Sequence, residues 1–117
     1  MVVEILTIHN KLSILYNSEN NTFYFEGVMD INEDSQLNKI RSVMLQEYLK
    51  NDITINTTKL SKINSSCLCN FNLFFTQIKK FEVSNSITII GNYECTWQKR
   101  CFEDFKTINN KIIINYV

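Results

Sequence analysis

The chain has 117 residues, enough for one domain built around one core. Twelve basic and twelve acidic residues cancel, so no charge excess steers it toward nucleic acid or an anionic membrane surface. Asn and Ile occur sixteen times each while Ala and Pro are absent, a skew that follows AT-rich codons and reads as nucleotide bias.

The N-terminal "MVVEILTIHNKLS" lacks a basic start, carries Glu4 and reaches no small-residue cleavage site, so it does not read as a signal peptide. Residues 2–8 read as an edge strand or a lead-in. "KLSILYN" (11–17) and "TFYFEGV" (22–28) are strand-like, and the polar "SENN" between them suits a turn, so the pair reads as an antiparallel hairpin. A helix then starts in "DINEDS", capped by Asp34 or Ser35, with Leu37, Ile40, Met44 and Tyr48 at helical spacing. Asp30, Glu33 and Asp34 form an acidic group at the positive end of that helix and read as a solvated cap.

"DITINTT" (52–58) alternates as a strand does, and "KLSKI" reads as a short connection. A second helix is expected from about Ser65 to Lys80, with Leu68, Phe71, Phe75 and Ile78 as its stripe and Phe74 and Phe81 beside it. "SITIIG" (86–91) has the continuous apolar character of a central parallel strand. A third helix over 97–108 places Trp97, Cys101 and Phe105 one turn apart, and "KIIINYV" closes the chain as a strand. The sum is a single α/β domain over residues 1–117: an antiparallel hairpin followed by parallel strands, with about three helices. No stretch approaches the roughly 18 consecutive apolar residues of a membrane helix, so a cytoplasmic, reducing setting is expected.

"INSSCL" is the stretch with chemical potential. Asn64, Ser65 or Ser66 can each cap the second helix, and the first-turn N–H groups of Ser66, Cys67 and Leu68 lack helical acceptors. A phosphate there would meet free donors and a favourable helix dipole. The site also lies at the C-terminal end of a strand, where open α/β sheets place function. The plain alternative is that Ser65 and Ser66 are only caps.

The order strand, loop, "INSSCL" and helix resembles the STAS domain of bacterial anti-sigma-factor antagonists. In those proteins a strand and a short loop end in Asp-Ser-Ser/Thr-Gly-Leu before a helix. Asn64 stands where the pattern has Asp, Ser65 and Ser66 form the serine pair, Cys67 replaces the glycine and Leu68 keeps the apolar position. "KLSILYNSENNTFYFEGVMDI" and the Trp-Gln ending "GNYECTWQKRCFEDFKTINNKIIINYV" are further similar to small STAS-like regulators best known from cyanobacteria. The resemblance implies a STAS-like mixed sheet and a protein-binding switch of a partner-switching pathway, without enzyme activity of its own. It implies Ser66 as phosphoacceptor, with Ser65 as its neighbour or substitute. A serine kinase of the histidine-kinase-like ATPase type would add the phosphate, a PP2C-type phosphatase would remove it, and another regulator could be captured. The alternative within the same family is a degenerate module that binds constitutively.

Four other features carry weaker chemistry. Trp97 and Gln98 could anchor a partner from a loop, and Lys99 and Arg100 could meet a phosphate or an acidic patch; otherwise they are the core residue and solvated face of a helix. Cys67, in a first helical turn, has a position that lowers a thiol pKa, but the one available base is His9 in the N-terminal segment. Cys67, Cys69, Cys95 and Cys101 are expected as thiols in small buried positions. Their C-x-C and C-x5-C spacings fit no standard zinc clip, so neither metal nor cofactor is expected.

Overall fold

The computed structural model describes residues 1–117. Its elements run β1 (Val2–Ile8), β2 (Leu12–Asn17), β3 (Thr22–Met29), α1 (Asp34–Tyr48), β4 (Ile53–Ile63), α2 (Ser65–Gln77) with a 3-10 turn (Ile78–Lys80), β5 (Ile87–Gly91), α3 (Thr96–Ile108) and β6 (Ile112–Tyr116). The six strands form one sheet in chain order. β1, β2 and β3 pair antiparallel, and β3 to β6 pair parallel. This is the mixed sheet expected from the sequence, with residues 2–8 as an edge strand.

Period-two alternation fixes the register. Tyr16, Phe23, Ile55, Ile89 and Ile114 lie in one row across five strands, on the face covered by helices. The next row, Leu15, Tyr24, Asn56, Ile90 and Asn115, lies on the opposite face, which no helix covers. Each parallel connection is a crossover, and crossovers of one hand put α1, α2 and α3 side by side over the same face. The core beneath them is a single cluster of 25 buried residues. Aromatic rings lock α2 to α3, with Phe75 and Phe105 centroids 4.9 Å apart.

Three expectations need correction. "KLSKI" is not a connection: β4 continues through it to Ile63, because β3 runs on to Met29 and pairs with it through Leu60, Lys62 and Ile63. Two register shifts absorb the mismatch. α1 is capped by neither Asp34 nor Ser35; Glu33 occupies the N-cap position and makes no side-chain cap bond. The inner face of α3 is also shifted by about one residue at its start, while on α2 Phe71, Phe74, Phe75 and Ile78 are buried as expected and only Leu68 and Phe81 are not. α2 buries Cys67, Asn70, Phe71, Phe74 and Phe75, leaving Phe81 exposed beyond it, and α3 buries Gln98, Phe102 and Phe105. Leu37, Ile40, Met44 and Tyr48 of α1 are buried as their spacing implies.

Gly27 marks the bulged end of β3. Its φ is +107°, and an added Cβ would lie 2.0 Å from the Lys11 carbonyl oxygen. Strain and overlap act together there. Gly27→Ala is expected to cost at least about 2 kcal/mol in urea denaturation.

Candidate functional site

The long β4 delivers Asn64 to the far end of β3, where its backbone N–H donates to the Met29 carbonyl at 3.0 Å. The Asn64 side chain then works in two directions. Its Oδ1 accepts from the Cys67 N–H at 2.8 Å, which caps α2. Its Nδ2 donates to Asp30 Oδ1 at 2.9 Å and lies 3.2 Å from both the Ile31 carbonyl and Asn32 Oδ1. One residue therefore closes the start of α2 and pins the loop between β3 and α1.

Of the three candidate caps the structure selects Asn64. The hydroxyls of Ser65 and Ser66 make no hydrogen bond, and their backbone N–H groups have no acceptor. Ser65 is exposed, Ser66 half-buried. Leu68 is half-buried against the core and donates its N–H to the Asn64 carbonyl as the first intrahelical bond.

Both departures from the Asp-Ser-Ser-Gly-Leu pattern have a local reason. An Asp at position 64 would set a second carboxylate against Asp30, whereas the amide turns that approach into a hydrogen bond. The Cys67 side chain is fully buried, with Sγ 3.6 Å from the Ile31 carbonyl, so it points into the core and not toward the serines. Burial pushes the Cys67 thiol up, outweighing the lowering by the Ile31 carbonyl contact, and Asp30 adds to the rise. The lowered pKa expected from its helix position is thus overturned. His9 lies in the β1–β2 turn, on no element that borders the serines. All four cysteines are unpaired, but the expected burial holds for Cys67 alone: Cys69 is exposed, and Cys95 and Cys101 are half-buried.

Ser65 and Ser66 open into a groove of about 380 Å³ between α1 and α2. Asp34, Asn38 and Arg41 line it from α1, and Asn70 lines it from α2. Asn70 is buried, donates to the Leu37 carbonyl at 3.1 Å and accepts from Arg41 Nη1. Arg41 Nη2 donates to Asn38 Oδ1 at 2.7 Å. Arg41 and Asn70 escaped the sequence reading. A polar residue at a buried helical position, one turn after Ser66, was the available signal.

Trp97, Gln98, Lys99 and Arg100 lie outside this groove. Gln98 is not a surface anchor: it is fully buried. Its Nε2 donates to the Thr57 and Leu60 carbonyls at 2.7 and 3.0 Å, and its Oε1 accepts from the Asn92 N–H at 2.7 Å. Gly91 leaves it room, since a Cβ there would lie 3.2 Å from Oε1. Trp97 is half-buried and donates its indole N–H to the Ser61 carbonyl at 2.9 Å. The pair therefore clamps α3 onto the extension of β4 that carries Asn64. Lys99 sits 3.7 Å from the Tyr93 ring centroid, and Arg100 is exposed.

Six strands in chain order, an antiparallel start, a parallel remainder and three helices on one face define the STAS-like fold. The crystal structure of apo-SiaC from Pseudomonas aeruginosa has a similar fold, with a TM-score of 0.68 over 98% of both chains at 9% sequence identity. No family model matches the chain, and no curated protein matches its sequence. No helix is long and apolar enough to cross a membrane.

Three outcomes follow from this geometry. Asn64→Asp sets two carboxylates together and raises the folded-state pKa of one of them. The resulting penalty is full at neutral pH and shrinks as pH falls through that raised value, so the melting temperature should recover toward wild type near pH 4. Asn64→Ala loses the cap bond and the Nδ2 bonds to the β3–α1 loop, about 1–2 kcal/mol, with little pH dependence. In the native protein, iodoacetamide should label Cys69 quickly and Cys67 only after denaturant is added, as read by peptide mass mapping.

Proposed function

We propose that this chain is a non-catalytic protein-binding regulator whose binding is switched by phosphorylation of Ser66, with Ser65 as the neighbouring or substitute acceptor. One observation carries the reading. Asn64 already caps α2, so the serine hydroxyls have no structural duty and stand open beside free N–H donors. This weighs against the reading of the serines as caps.

In the modification, the Ser66 Oγ–H bond gives way to an Oγ–P bond. The γ-phosphoryl comes from ATP, ADP departs, and the proton passes to the base of a serine kinase of the histidine-kinase-like ATPase type. A PP2C-type phosphatase would reverse the step by hydrolysis. The new charge of about −1.5 to −2 would lie at the mouth of the α1–α2 groove, where a partner would dock. A helix N-terminus tolerates that charge, so the fold would persist while the binding surface changes.

The test is incubation with ATP and the kinase of this class encoded nearest the gene. Phosphate should map by mass spectrometry to Ser66, and Ser66→Ala should abolish or redirect it to Ser65. A chain left unmodified at both serines would sink the switch and leave a constitutive binding module. Ser66→Asp should weaken binding of the unphosphorylated form's partner while moving the melting temperature little.

A further inference from the structure

We infer that Arg41 is an internal receiver for the phosphate, so that phosphorylation of Ser66 closes the α1–α2 groove by an arginine clamp within the same chain. This rests on the reading of Ser66 as phosphoacceptor and says how the added charge is read out.

Arg41 is half-buried in the wall of the groove that the serines enter. Its guanidinium bonds two amide oxygens, those of Asn38 and Asn70, and no carboxylate. The ion pairs of the chain involve other residues, and its one cation–π contact uses Lys99. Arg41 is thus a fixed cation held by neutral acceptors, a state that a dianionic set of acceptor oxygens would improve upon. The acceptors sit at the right places. Asn70 lies one helical turn after Ser66, so both face the same groove, and Asn38 lies one turn before Arg41 on α1.

The other charged groups set the direction. Asp34 of α1 lines the mouth of the groove, and Asp30 stands beside Asn64 on the β3–α1 loop. Both carboxylates repel a phosphate at the mouth and turn it inward, toward Arg41. Because α1 and α2 both follow parallel-strand ends, their N-termini lie at the same edge of the sheet and both dipoles favour the anion there. The clamp draws Arg41 away from Asn38 or Asn70 and fills the polar floor of the groove, which removes the surface a partner would use.

The experiment installs phosphoserine at position 66 during translation, with no kinase involved, and follows the 31P resonance against pH. Free phosphoserine has a second pKa of about 6. In the wild-type background it should fall by about one pH unit, and Arg41→Gln should return it to about 6 or above, since Asp34 and Asp30 remain. Arg41→Lys should recover part of the fall, keeping the charge without the fork. Equal titrations in wild type and Arg41→Gln overturn the clamp. If Arg41→Gln fails to fold, the Arg41 side-chain NH resonances of the wild-type chain decide: a shift on phosphoserine incorporation supports the contact, and unchanged resonances overturn it. A kinase that ignores Ser66 would defeat the proposed function without touching this titration, and a modified Ser66 with an Arg41-independent pKa would do the reverse.

Discussion

The pairing of β4 with β3 beyond the end of β5 is the constraint on which the site depends. β5 matches β4 only as far as Asn56, so the next seven residues of β4 are held by β3 on one side. That one-sided ribbon carries the chain to Asn64 and sets where α2 begins. Ending β4 where its alternation ends would start α2 elsewhere and leave the β3–α1 loop without its partner. The Gly27 bulge and the clamp from α3 act on this same ribbon, one at its β3 partner and the other at Leu60 and Ser61.

Three side-chain amides hold the arrangement: Asn64, Asn70 and Gln98. Each donates and accepts at once, which neither a carboxylate nor an ammonium can do at neutral pH. Asn64 joins a helix start to a loop, Asn70 joins two helices, and Gln98 joins a helix to a strand and to the turn after Gly91. Buried amides with satisfied bonds fix register and approach without the desolvation penalty of a charge. At the site Asp30 and Arg41 are each bonded to such neutral amides and to no opposite charge.

The sheet was legible in the sequence because alternation and strand propensity agree over 12–17, 22–28 and 53–57, and a continuous apolar run marks 86–91. The extension of β4 was not. "KLSKI" has no clean alternation, and the pairing of its backbone with β3 is a tertiary fact that no local pattern records. The helix start at "INSSCL" was legible, but the cap among three adjacent candidates was not, since the choice depends on Asp30 from a distant loop. Gln98 shows the same limit in reverse. A polar residue beside Trp reads as surface until the Thr57 and Leu60 carbonyls are seen to need it. The Asn-rich composition deepened the problem: a genome that supplies Asn everywhere hides the few positions, such as 64 and 70, where the amide is required.

A sheet whose spatial order equals its chain order has a consequence for synthesis. Each new strand can add to the edge left by the one before it, so the molecule can assemble in the order in which it leaves the ribosome. The serine pair emerges well before α3, however, and the ribbon that orients it is clamped only when Trp97 and Gln98 arrive. A nascent or truncated chain would therefore expose the serines without presenting them in their finished geometry. Only the finished α3 fixes the ribbon, and with it the geometry of the α2 start.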